Sequence, residues 1–288
     1  MRKILACFSD THAGSVYGLM NPDTELAQDP ESGLTQTHKI QLTPIQEYLW
    51  HLYIENIEKI KEIAGDSEII LLVNGDITHG NYFQDEWVSP FASDQITIAR
   101  ANMEPWLHIT NVKTIIMSKG TRAHVFGGGS AEKIIAQLIS AKYEGINITA
   151  AYHSDIELLE DNFSIDQAHK GPSTGSRDWL KGNVAQLYLK DQMIWFLKNN
   201  RKPPQLFTRA HFHEYVRVIQ VLRWGEQEYE SMLVVTPALC GVGEWTIDRT
   251  RSKVSQNLGM IAFEIENGKI RETYPMIEDL ELRTKIVI

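Results

Sequence analysis

Lys3-Ile4-Leu5-Ala6-Cys7-Phe8-Ser9-Asp10-Thr11-His12 sets the reading of the chain. The run from Lys3 to Ser9 is short, apolar and rich in Ile, Leu and Phe, as a strand buried on both faces requires, and it breaks off at Asp10-Thr11-His12. The same design returns downstream. Glu68 to Val73 reads as a second buried strand and delivers Asn74-Gly75-Asp76-Ile77-Thr78-His79-Gly80; Lys113 to Ser118 reads as a third and delivers Lys119-Gly120-Thr121-Arg122-Ala123-His124. Helices separate these strands. Thr43 with Pro44 next and Gln46 three residues on is a capping box, followed by Ile45, Leu49, Leu52, Ile57, Ile60 and Ile63 at helical spacing. A second helix is predicted over about Asp94 to His108, and Ser130 caps a third.

The second half begins with a β-rich stretch from Ile146 to Tyr152 and a strand Phe163 to Gln167 that His169 closes. A helix from about Arg177 to Asn199 ends before Pro203-Pro204, and Gln205 to Thr208 leads as a strand into Arg209-Ala210-His211-Phe212-His213. From about residue 214 the chain turns β-rich: Tyr215 to Trp224, Glu230 to Thr236 and Met260 to Glu266 read as strands, with a hairpin signal at Asn267-Gly268. Ala13 to Gln41 reads as a long polar loop. The pattern predicts an α/β (α+β) fold, a double-layered β-sandwich flanked by helices, with residues 1–288 as a single domain.

Composition narrows the function classes. In 288 residues, 43% hydrophobic and 23% charged, there is enough apolar material for a buried core, which argues against wholesale disorder or a disulfide scaffold. A formal charge of −9 disfavours a protein that coats nucleic acid through phosphate contacts, although bound cations reverse the field locally. Cys7 and Cys240 belong to no C-x-x-C pair and read as reduced core thiols. Ser9 and Asp10 cut short the apolar start well before a signal-peptide core, and no apolar run approaches a membrane span, so a soluble cytoplasmic protein is expected.

Each polar cluster alone reads more readily as a satisfied polar residue or a solvated loop; the ordered set does not. Asp10 and His12, Asp76, His169, and His211 and His213 all fall at strand ends, where stacked sheets bring loops together. In an extended segment, residues two apart project to one side, so Asp10/His12 and His211/His213 each offer a two-ligand grip. Mixed imidazole and carboxylate ligands suit manganese, iron or zinc better than calcium, and a carboxylate such as Asp76 can bridge two ions.

With Asp-x-His, Gly-Asp, a Gly-Thr-x-x-His loop, a lone His and His-x-His in this order, the chain resembles the calcineurin-like metallophosphoesterase superfamily over about residues 4–213. The resemblance implies two divalent metal ions, manganese favoured and iron or zinc the alternatives. It places Asp10, His12, Asp76 and His213 around the first ion and Asp76, His169 and His211 around the second. It also implies a water or hydroxide between the metals that attacks phosphorus in line with the leaving oxygen.

Three departures shape the expectation. Thr121 stands where the family has an Asn ligand of the second ion, and His124 stands in for the substrate-side His as proton donor or phosphate contact, with Arg122 paired to phosphate oxygens. Ile77-Thr78 follows Gly75-Asp76 where protein phosphatases of the superfamily carry Asp-Arg, which argues against a protein phosphatase; His79 either orients a ligand or is structural. Ala210 replaces a Gly before His211. Gly127-Gly128-Gly129-Ser130 lacks a P-loop lysine and reads as a hinge. The basic and aromatic run from Arg209 to Trp224 reads either as a base-stacking surface or as an ordinary strand, and Asn74 as a turn residue. The expected substrate is a phosphodiester, nucleic acid or nucleotide first, making the protein a phosphodiesterase or nuclease rather than a phosphomonoesterase. The alternative is a catalytically silent binding scaffold of the same fold.

Overall fold

The computed structural model describes residues 2–27, 36–126, 130–173, 180–243, 254–284 and 286. The strands are β1 (Lys3–Phe8), β2 (Glu25–Ala27), β3 (Thr37–Lys39), β4 (Glu68–Val73), β5 (Val112–Ser118), β6 (Asn147–Ala151), β7 (His153–Leu158), β8 (Phe163–Lys170), β9 (Leu206–Ala210), β10 (Val216–Trp224), β11 (Gln227–Val235), β12 (Ser255–Glu266) and β13 (Lys269–Glu281). The helices are α1 (Pro44–Ala64), α2 (Ala92–Leu107), α3 (Ala131–Lys142) and α4 (Asn183–Lys198). Six strands form one sheet in the order β13-β12-β1-β4-β5-β6 and five form another in the order β10-β11-β9-β8-β7.

Alternation along β1 explains how the layers stack. Ile4, Ala6 and Phe8 face a core completed by α1, α2 and α3, whereas Leu5 and Cys7 face a second core. That second core joins the two sheets: Ile70 and Leu72 of β4 and Phe263 of β12 meet Ile165 of β8, Leu206 of β9 and Val234 of β11. The outer face of the five-stranded sheet is covered by α4, whose Ala185, Leu189 and Met193 pack on Phe207, Leu233 and Val235. The mixed α/β layering expected from the sequence is therefore present. The capping box of α1 is formed as read: Thr43 Oγ1 accepts from Gln46 N (3.4 Å), and Gln46 Oε1 accepts from Thr43 N (3.0 Å).

The structure corrects several local readings. The polar loop after Ala13 contains a two-stranded ribbon, β2 with β3. The stretch after Ile146 holds two strands in different sheets, because β6 pairs with β5 and β7 with β8. His169 lies within β8 rather than after it, and α4 begins at Asn183, the expected start at Arg177 lying outside the described residues, as do Gly127 to Gly129. No helix of the described residues is long and apolar enough to cross a membrane.

Candidate metal centre

Four loops and the end of one strand bring the polar residues to one edge of the two sheets. Asp10 and His12 follow β1, Asp76 follows β4, and the turn Arg122–His124 follows β5 in the six-stranded sheet. From the five-stranded sheet come His169 near the end of β8 and His211 and His213 after β9. The backbone crosses the seam through Asn74: its carbonyl accepts from His169 Nδ1, and its side-chain amide donates to Arg209 O (3.4 Å). Asn74 is thus a buried tie between sheets and not merely a turn residue.

The two-residue spacing works by a different geometry from the one expected. Asp10 (φ 50°), His12 (φ 42°), His211 (φ 79°) and His213 (φ 52°) are left-handed, as is Asp76 (φ 49°), so the side chains converge through tight corners and not along an extended segment. Such backbone costs about 1–3 kcal/mol per residue and persists where surrounding structure over-determines it. Among the described residues, eight other than glycine have positive φ, and five are these.

Two groups of converging ligand atoms result. Asp10, His12 and His213 form one, Asp76, His169 and His211 the other, and within each the ligand atoms lie within 4.8 Å of one another. His213 Nε2 is 3.4 Å from Asp10 Oδ1 and 3.2 Å from His12 Nε2; His169 Nε2 is 2.9 Å from Asp76 Oδ2, and His211 Nδ1 is 3.9 Å from the same oxygen. The groups are linked by His211 N, which donates to Asp10 Oδ2 (3.3 Å). All six side chains expected as ligands on the carboxylate and imidazole pattern are therefore brought together.

Buried atoms without partners show that the donor set suits cations. Asp10 Oδ1 and His169 Nε2 are fully buried and make no hydrogen bond; the 2.9 Å approach of His169 to Asp76 is short enough for one but misaligned. A buried carboxylate oxygen left without a donor, as at Asp10 Oδ1, is what a cation satisfies. Charges agree. Burial would raise the Asp76 carboxyl, yet His169 holds it well below the usual range; Asp10 is lowered against burial by His213 and His169. Burial opposes charge on His169, but Asp76 and Asp10 outweigh it and bring its pKa up to about 9. A proton on His169 thus balances the carboxylates, and a divalent ion would displace it. His12 is buried and pushed well below its ordinary value, first by burial and then by His124 and His213, leaving a neutral imidazole. These buried His/Asp groups can hold metal ions.

Thr121 meets Asp76 directly: its N–H donates to Oδ1 (2.6 Å), and its hydroxyl lies 3.3 and 3.2 Å from the two carboxylate oxygens. His124 donates from Nδ1 to His79 O (2.8 Å) and turns Nε2 toward Asp76 Oδ2 (3.9 Å). Arg122 is exposed at the rim. Arg209, by contrast, is buried in an ion pair with Asp166, so it offers nothing to a base-stacking surface.

Sequence reasoning missed the residues that hold the ligands. Ser9 Oγ donates to Asp10 Oδ2 (2.6 Å), Glu132 Oε1 accepts from Gly120 N (3.2 Å), and Gln95 clamps Gly80 through both its amide atoms. Only Gly120 carried a readable signal. A Cβ there would sit 2.0 Å from Asp76 Oδ1 and 2.5 Å from Asp76 N, so no larger residue fits while the carboxylate keeps its place. Gly120→Ala is expected to weaken metal retention about 10- to 100-fold, the usual cost of disturbing a ligand's support; wild-type metal content after equilibrium dialysis would count against that role. No protein-family model matches the chain, and no curated protein matches it.

Proposed function

We propose that the protein is a dinuclear metal-dependent phosphoesterase that hydrolyses phosphodiesters, with manganese the favoured metal and nucleic acid or a nucleotide the favoured substrate class. One observation carries the reading: two adjacent His/Asp groups, Asp10–His12–His213 and Asp76–His169–His211, converge across the seam of two packed sheets. Two neighbouring sites exceed what a single structural zinc requires. The stacked sheets with outer helices are also the architecture that the resemblance implies.

Bound ions supply Lewis-acid polarisation of the phosphoryl group and a water of lowered pKa. The chain's own residues do the rest. Asp76, clasped by Thr121, presents Oδ2 to His169, His211 and His124 and would hold the second ion; the resemblance makes it also the bridge to the first. With Nδ1–H engaged by His79 O, His124 keeps Nε2 to protonate the leaving oxygen or touch phosphate. Arg122 reaches phosphate oxygens from the rim, where its fork neutralises the charge that an acidic protein would otherwise repel. Both cysteines are free and buried, in keeping with a cytoplasmic setting.

The test is hydrolysis of bis-p-nitrophenyl phosphate by metal-stripped protein, with and without manganese, alongside the monoester p-nitrophenyl phosphate. Diester turnover restored by manganese is the expected result. Faster monoester turnover would reverse the substrate class, and no turnover of either ester with metal bound would leave a binding scaffold.

A further inference from the structure

Tyr82 stands in the loop between β4 and α2 and is 70% exposed, so at least one face of its ring is open to solvent. Its ring meets that of Phe83 edge to face, with centroids 4.9 Å apart and planes at 76°. Phe83 in turn lies nearly parallel to the His124 ring, 5.8 Å away at 28°. A continuous run of three rings therefore leads from His124, whose Nε2 is turned toward Asp76, to an open aromatic face at the rim of the metal centre. The loop that carries Tyr82 is pinned on both sides. Before it, Gly80 N–H donates to Gln95 Oε1 (2.9 Å), and Gly80 O accepts from Gln95 Nε2 and Trp87 Nε1 (both 3.0 Å). After it, His79 Nε2–H donates to Phe83 O (3.1 Å), and beyond the single turn Gln84–Glu86 the chain is tied to the segment that follows His12. There Val16 N–H donates to Glu86 O (2.8 Å), and Val88 N–H donates to Gly14 O (2.7 Å). Held between these anchors, the ring buries little area against the fold and offers a flat ligand a face whose ordering cost is already met.

We propose that Tyr82 is the stacking platform for an unpaired nucleobase of a substrate whose phosphate lies at the metal centre. The proposal rests on the function given above and narrows its substrate class. Every base has a π face, so the platform accepts any of the four, in the way that aromatic side chains hold single strands. A base inside a duplex has both faces covered by its neighbours and reaches Tyr82 only by leaving the stack. The class is therefore a nucleoside phosphate with a free base, as in a nucleotide or a single strand. Stacking also supplies affinity that charge does not. With a formal charge of −9, the chain attracts a polyanion poorly away from its metal site and the Arg122 rim.

Calorimetric titration of manganese-loaded full-length protein with adenosine 5′-monophosphate and with ribose 5-phosphate tests the platform, because the two ligands share sugar and phosphate and differ in the base. Wild type and Tyr82→Phe are expected to bind the nucleotide at least about fivefold more tightly than the sugar phosphate, the low end of what one stacked base contributes. Tyr82→Ala is expected to lose that preference and to keep wild-type affinity for ribose 5-phosphate, which shows the phosphate site intact. Equal binding of the two ligands by wild type overturns the platform, as does a preference that survives in Tyr82→Ala or the loss of both ligands by that variant. Hydrolysis then separates the platform from the reading on which it rests. With a dinucleoside monophosphate as substrate, Tyr82→Ala is expected to raise KM at least about fivefold at unchanged kcat, as the loss of uniform binding does; a lower kcat at unchanged KM would overturn the binding role. A wild type that binds the base through Tyr82 but hydrolyses neither this diester nor bis-p-nitrophenyl phosphate keeps the platform and removes the phosphoesterase.

Discussion

Asp76→Asn is expected to leave a folded protein whose manganese-dependent diester hydrolysis falls about a thousandfold. A metal site contributes several kcal/mol of charge stabilisation at the transition state, and about 1.4 kcal/mol corresponds to tenfold in rate. The substitution preserves shape and keeps an oxygen for Thr121 N–H, but it removes the charge that His169 and His211 face. A second measurement separates lost chemistry from lost structure. With the carboxylate gone, burial of His169 loses its main opponent, and its pKa in metal-free protein should drop from about 9 toward or below the ordinary 6.5, visible in an NMR titration of the ring. Undiminished hydrolysis, or an unmoved His169, would remove Asp76 from the centre of the site.

Arg209→Met is expected to destabilise the protein by about 3–5 kcal/mol, the cost of breaking a buried ion pair from one side. Arg209 is 1% exposed; it pairs through Nη2 with Asp166 Oδ1 (2.5 Å) and donates from Nη1 to Asp166 O (2.9 Å) and Thr208 O (2.8 Å). The sign of the pH dependence follows from Asp166. Burial would raise its carboxyl, but hydrogen bonding to His153 and the Arg209 charge hold it below 3.8. A depressed carboxyl contributes stability above its unfolded value, and that contribution is lost as pH falls through the folded one. The gap between wild type and Arg209→Met should therefore be full at pH 7, begin to narrow as pH falls below the unfolded value of about 3.9, and close only as pH passes through the still lower folded value, where Asp166 is protonated in wild type too. Urea melts at pH 7 and pH 3 measure it, and the double variant with Asp166→Asn should recover most of the loss. A gap under 1 kcal/mol at pH 7 would show that the pair is dispensable.

The parts of the fold that were readable in sequence are those whose signal is local. A strand with both faces buried must be continuously apolar, so β1 and β4 were evident, and the cap of α1 is written in Thr43, Pro44 and Gln46. The order of ligand types was readable for the same reason, since strand ends deliver them. What escaped depended on distant partners. β7 alternates exposed and half-buried residues as a surface strand does, and only pairing with β8 separates it from β6. Asn74 looks like a turn residue until Arg209 and His169 arrive from the other sheet. The left-handed corners at Asp10 and His213 have only a faint sequence signature, because Asp and His, although enriched among the non-glycine residues at positive φ, adopt it in a small minority of cases.

The place of β1 also governs the order in which the chain is made. It lies between β4, finished at Val73, and β12, begun at Ser255, and pairs with both. At a synthesis rate of about 5–20 residues per second, on the order of ten to forty seconds separate the emergence of those two neighbours from the ribosome. Through that interval one edge of the central strand is unpaired, and an unpaired apolar edge accepts strands from other chains. The histidines of the second sheet are missing for much of the same time. A nascent chain therefore brings its buried His/Asp groups together only after His213 has been made, and the rate of synthesis sets how long the exposed edge is open to aggregation.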